Sequence, residues 1–269
     1  MFTHALLSWA IAIGFAGAPD RGLSEFQFNQ VLDDVESTYA PVVAKRNLKF
    51  IIERRWHDGA VNSSPFRDGE VIGISISGGI ARAHGMNQDA LALVACHELG
   101  HLLGGFPLSE PGISNEGEAD YFATAKCLRR VFDSPVAEHF TRLPPTDRTA
   151  RQACATVFSS EHDRTICVRS AMAALSASPM TSTWSDNEPP AALNTPDPYR
   201  TSVTDGRHMP RQCRLDTQFQ GALCAKPADE DFSDTNPVVG ACTLAEHFKV
   251  GTRPRCWYEP SESEPEPNR

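Results

Sequence analysis

Cys96-His97-Glu98-Leu99-Gly100-His101, followed at a short distance by Asn115-Glu116-Gly117-Glu118-Ala119-Asp120, is the stretch around which the chain is organised. On an α-helix, residues four apart lie on one face, so His97 and His101 can present two imidazoles to one point. Glu98 sits about 100° further round the same helix, within reach of a water at that point. This is the HExxH pattern, with two neutral nitrogens for zinc and one carboxylate to take a proton from zinc-bound water. The flanks support a helix over 87–104. Asn87 can cap it, Asp89 suits its first turn, Ala90 to Ala95 are apolar, and Gly104-Gly105 can end it.

Two histidines call for a third protein ligand, with the fourth position left to water. Glu116 is the candidate. In a helix over 115–132, capped by Asn115, Glu116 and Asp120 share a face while Glu118 points away. Glu116 can then bind metal while Asp120 accepts the ring N–H of a ligating histidine and fixes its tautomer. Glu110, in a Pro/Gly loop, is a weaker rival ligand. A plainer reading makes Glu116, Glu118 and Asp120 acids enriched in a first helical turn.

HELGH followed by Glu-x-x-Ala-Asp resembles the gluzincin metallopeptidases, and most of all the HtpX / CAAX-prenyl-protease family. Members of that family carry a later His-Pro segment with Arg-Ile beginning six residues after the His. Here His208-Met209-Pro210 through Arg214-Leu215 keeps the His, the Arg and an aliphatic residue, with the Pro displaced by one. The resemblance implies that His208 stabilises a tetrahedral oxyanion and that Arg214 shapes the site. It also matches Asn62 to the family's Asn segment and the stretch Val71–Ser77, with Ile74, to its substrate-edge strand. It spans roughly residues 30–220 and implies a zincin-like α+β fold, one Zn²⁺ per chain and a peptide or protein substrate. The family's best-known members are membrane-embedded, whereas this chain has no internal run of about 20 apolar residues that could span a bilayer. A soluble relative is therefore expected.

Ala5–Ala18 is an apolar run of signal-peptide length ending in Ala16-Gly17-Ala18, so residues 1–18 read as a leader; a short buried helix is the alternative. Eight cysteines without a C-x-x-C pair argue for disulfides in an oxidising compartment, periplasmic or extracellular. A sequential pairing is expected: Cys96–Cys127, Cys154–Cys167, Cys213–Cys224 and Cys242–Cys256. The first has a geometric reason, because Cys127 lies three helical turns past Glu116 and could pin the two ligand-bearing helices together. A net charge of −9 over 269 residues argues against nucleic-acid binding and leaves room for one large core.

The periodicities give a helix over 24–45, interrupted or restarted at Pro41, and strands at 48–53 and 71–76 with loops between them. After the ligand helices, helices are expected at 135–142, 146–159, 161–177 and, more briefly, 210–224. Strands before helices give α+β, with a small N-terminal sheet, the HExxH helix and a mainly helical C-terminal part. The peptidase domain is read as 19–224, with a Pro/Ser-rich loop over 176–207. A disulfide-stapled segment follows at 225–258, then an acidic disordered tail at 259–269. His57, His84, His139, His162 and His247 lack partners at ligand spacing and read as ordinary residues. The expected reaction is peptide hydrolysis by a zinc-activated water, with Glu98 as general base. An inactive zinc-stabilised binding protein, a zinc hydrolase of a non-peptide amide and a cytosolic regulatory peptidase remain as alternatives.

Overall fold

A computed structural model of the chain describes residues 22–134, 146–180 and 188–260. The leader, the expected helix at 135–142 and nearly all of the acidic tail lie outside the described residues. The chain enters through α1 (Glu25–Ala44), opened by a capping box between Ser24 and Gln27. The expected break at Pro41 does not occur; α1 is continuous. Val35, Tyr39 and Val43 are fully buried on either side of the proline and anchor both halves of the helix in the core. That burial outweighs the loss of one backbone donor.

Three strands follow: β1 (Lys49–Arg55), β2 (Ser63–Asp68) and β3 (Val71–Ser77). Their spatial order is β1-β3-β2, with β1 parallel and β2 antiparallel to β3. This sheet departs from the sequence expectation in two ways. The stretch read as a loop around Pro65 is strand β2, and Pro65 is tolerated because it lies on an outer strand. Val71–Ser77 is then the centre of the sheet, flanked on both sides, and Ile74 is fully buried, so neither can be an open substrate edge. Among the described residues the free edge beside the cleft belongs to β2.

The short α2 (Gly78–Ala81) leads to α3 (Gln88–Leu103), the HELGH helix. Asn87 caps α3 by accepting from the Ala90 N–H, and Gly104 ends it, both as the sequence predicts. A two-stranded ribbon, β4 (Leu108–Glu110) with β5 (Ile113–Ser114), delivers the chain to α4 (Glu116–Phe122). One π turn over Ala123–Cys127 separates α4 from α5 (Leu128–Asp133), so the single helix expected over 115–132 is interrupted. Helices α6 (Arg148–Val157), α7 (Glu161–Ala177) and α8 (Arg211–Ala222) complete the helical part. No helix among the described residues is long and apolar enough to cross a membrane.

The main hydrophobic core joins α1, Ile72, Ile74 and Ile76 of β3, and Leu91 and Leu99 of α3, and reaches Phe232 and Cys242 beyond α8. The segment after residue 224 is therefore built into this core. Four disulfides are present. Cys96–Cys127 and Cys154–Cys167 match expectation, with Cys127 supplied by the π turn. The other two do not: Cys213 bonds Cys256 and Cys224 bonds Cys242, not Cys213–Cys224 and Cys242–Cys256. Cys213 lies in the first turn of α8 and Cys224 two residues past its last, Ala222; the helix from 213 to 222 alone rises about 14 Å at 1.5 Å per residue, which sets the two cysteines too far apart for a disulfide. Glu259, the start of the expected tail, exchanges hydrogen bonds with Thr204 and pairs with Arg255.

Candidate metal centre

His97 and His101 project from α3 toward α4, where Asn115 caps the helix start and Glu116 follows directly. His97 Nε2 lies 3.2 Å from one Glu116 carboxylate oxygen, and His101 Nε2 lies 3.7 Å from the other. One donor atom from each of the three residues falls within 4.8 Å of the others. The remaining ring nitrogens are held from behind. His97 Nδ1 is 2.8 Å from Asp120 Oδ1, and His101 Nδ1 is 2.9 Å from the Ser114 carbonyl. Each contact holds a proton on Nδ1, so Nε2 is the nitrogen turned toward Glu116 and the one that would give up its proton to a metal.

Asp120 is in turn gripped by Arg214 of α8, whose Nε and Nη2 donate to its two oxygens at 2.7 and 2.9 Å, and by Gln218 Nε2 at 2.7 Å. Gln218 is absent from the sequence-derived set, although its place one helical turn after Arg214 signals a shared face. The Ser114 carbonyl has no sequence signal, since any residue carries one. Glu118 points away as expected and forms a buried bidentate pair with Arg253. Glu110 is exposed on β4 and is not among the converging ligands. His57, His84 and His247 are exposed, and His162 pairs with Asp133 on the surface.

The electrostatics follow from this packing. Burial opposes the charged ring of His97, but the Asp120 carboxylate beside it prevails and lifts it to about 10. Burial and the neighbouring His97 push His101 down. Burial would raise Glu116, yet the His208 and His97 rings hold it far below the usual carboxylate range. Asp120 is likewise held down, against burial, by Arg214 and His97.

One observation tests whether a metal suits this cluster. Glu116 Oε2 is buried and makes no well-aligned hydrogen bond, although His97 Nε2 and His208 Nδ1 approach within 3.2 and 3.1 Å. A buried carboxylate oxygen without an aligned donor, facing two imidazole nitrogens, fits a cation. Two nitrogens and one carboxylate are a donor set that zinc accepts, with a coordination position to spare. Asp197, Cys213 and Cys256 also converge, but both sulfurs are spent in a disulfide.

A cleft of about 290 Å³ opens beside the ligands, with His97, Glu98, His208 and Arg214 among the residues that face it. Glu98 is buried, and its Oε1 accepts a 2.6 Å hydrogen bond from the Ser63 hydroxyl of β2. Asn62 precedes β2 on the cleft wall; its carbonyl accepts from the Ser77 N–H. His208 is half-exposed and lines the same cleft, with its Nδ1 3.1 Å from Glu116 Oε2 and 3.4 Å from Arg214 Nη1.

The segment carrying His208 is tied down from the far end of the chain. Thr201 and Asp205 donate backbone hydrogen bonds to Arg255 and Trp257. Trp257, fully buried, packs on Gly117, where a Cβ would lie 2.4 Å from the indole ring. Only glycine allows that approach next to Glu116. Neither Trp257 nor Arg253 is recognisable from the sequence as part of the site's support. In comparisons with protein-family models, curated proteins and solved structures, the chain matches none.

Proposed function

We propose that the chain is an exported, zincin-like metalloendopeptidase that hydrolyses peptide bonds. The observation that carries this reading is the convergence of His97, His101 and Glu116 beside an acid, Glu98, that faces the same cleft. His97, His101 and Glu116 would hold zinc, with Asp120 and the Ser114 carbonyl fixing the two rings. When bound, the metal would supply a polarised, readily deprotonated water. Glu98 takes the proton from the attacking water and delivers it to the leaving amine. His208, which lines the same cleft, donates to the oxygen that gains negative charge, and Arg214 steadies the His208 ring. An extended peptide would lie along the outer edge of β2, exchanging main-chain hydrogen bonds with it. Four disulfides support an exported protein.

The test is cleavage of unfolded casein by oxidatively folded protein, wild type beside Glu98→Gln, with zinc measured in both. Wild type should cleave, and the variant should keep its zinc and cleave about 10²–10⁴-fold more slowly. Equal cleavage by the two would overturn the role of Glu98. Zinc in neither would overturn the metal centre. Zinc in both without cleavage of casein or a mixed peptide library would favour a zinc-stabilised binding protein.

A further inference from the structure

Among the described residues, Glu98 has one hydrogen-bonding partner for its carboxylate, and that partner lies on a different element. Ser63 Oγ donates to Glu98 Oε1 at 2.6 Å, across 35 residues of sequence. Ser63 is the first residue of β2, the free-edged strand, and pairs through its backbone with Ile76 of the central strand. Its side chain turns into the cleft that His97, Glu98 and His208 share.

We infer that Ser63 is the positioning residue for Glu98, and that it couples the edge on which a peptide would lie to the group that moves the proton; this rests on the peptidase reading above. A carboxylate on a helix has a soft terminal torsion, so a lone Glu98 samples a wide arc. The Ser63 hydroxyl occupies Oε1 and stops that rotation, which leaves Oε2 to receive the proton of an attacking water. Since β2 supplies both the docking edge and this hydroxyl, a peptide seated on β2 presses on the strand that sets the carboxylate. Holding a reacting group in one orientation acts on the chemical step more than on ground-state binding. Sequence spacing cannot show this contact, because the two residues meet only when β2 closes against α3.

The experiment compares wild type, Ser63→Ala and Ser63→Thr in the full, oxidised chain. In zinc-free protein, the Glu98 side-chain carboxyl ¹³C resonance is identified by its loss in Glu98→Gln. Ser63→Ala should move that resonance, and Ser63→Thr, which keeps the hydroxyl and suits a strand, should return it. With zinc bound at unchanged stoichiometry, Ser63→Ala should lower kcat about ten- to hundredfold with KM little changed, the loss of one hydrogen bond to a charged group. Ser63→Thr should recover most of that. An unmoved resonance in Ser63→Ala, a loss carried by KM alone, or a kcat loss that threonine fails to restore would each overturn the inference. The resonance is read without metal or turnover. It therefore judges the Ser63–Glu98 contact even if cleavage by Glu98→Gln shows the peptidase reading to be wrong.

Discussion

Asp120 shows how far a single side chain reaches. It accepts from His97, Arg214 and Gln218 while wholly buried, so its charge offsets the buried guanidinium and its position aims a ligating ring. Asp120→Asn keeps the shape and removes the charge. Zinc affinity should fall about 10- to 100-fold, as measured by competition with a chromogenic chelator. Melting temperature should fall as well, because Arg214 is left buried without its counter-ion, a change that destabilises by about 3–5 kcal/mol when a buried pair is broken. Unchanged zinc affinity would mean that His97 is held by something other than Asp120.

At the scale of elements, the ligand set depends on how closely α3 and α4 approach. Gly100, inside the HELGH stretch, sits at that crossing: a Cβ there would lie 2.8 Å from both the Cα and the carbonyl oxygen of Ala119. Backbone cannot swing aside as a side-chain tip can, so Gly100→Ala must push the helices apart. Since His97 and His101 ride on one helix and Glu116 on the other, zinc affinity should drop at least about tenfold, with a stability loss of about 1–3 kcal/mol. Zinc titration and urea unfolding measure the two effects. The Cys96–Cys127 bridge staples α3 to the π turn that directly follows α4, which is why the variant is expected to fold with a loosened site.

Over the whole molecule, the C-terminal chain is a structural partner of the site. Lys126 in the π turn donates to the Pro227 carbonyl, and Arg130 of α5 donates to Ala228 and Asp231. Lys126 is almost wholly buried, and that burial pushes its pKa down to about 7 from an ordinary 10.5. Between these values the unfolded chain binds a proton that the folded chain releases. Its contribution to stability therefore rises with pH from about 7 to 10.5, at up to about 1.4 kcal/mol per pH unit, and is constant below that window. Lys126→Met should remove this slope. Urea unfolding of wild type and variant at pH 7, 8 and 9 checks it, and parallel curves would show that Lys126 stays charged in the fold. The same far-end packing explains the disulfide register, since α8 holds Cys213 and Cys224 apart and each reaches a separate part of residues 225–258.

The local features were legible in the chain alone. Helical period placed His97, Glu98 and His101 on α3, capping chemistry fixed the starts of α3 and α4, and an i,i+4 spacing put Glu116 and Asp120 on one face. These follow from interactions within about one helical turn. The remaining features came from long-range packing. It made Val71–Ser77 the middle of the sheet, carried α1 through Pro41, re-paired four cysteines and brought Ser63, Gln218 and Trp257 to the site. Each of those outcomes depends on contacts between residues far apart in the chain, whose free energy appears only when apolar surfaces are buried together; no local pattern of spacing records it.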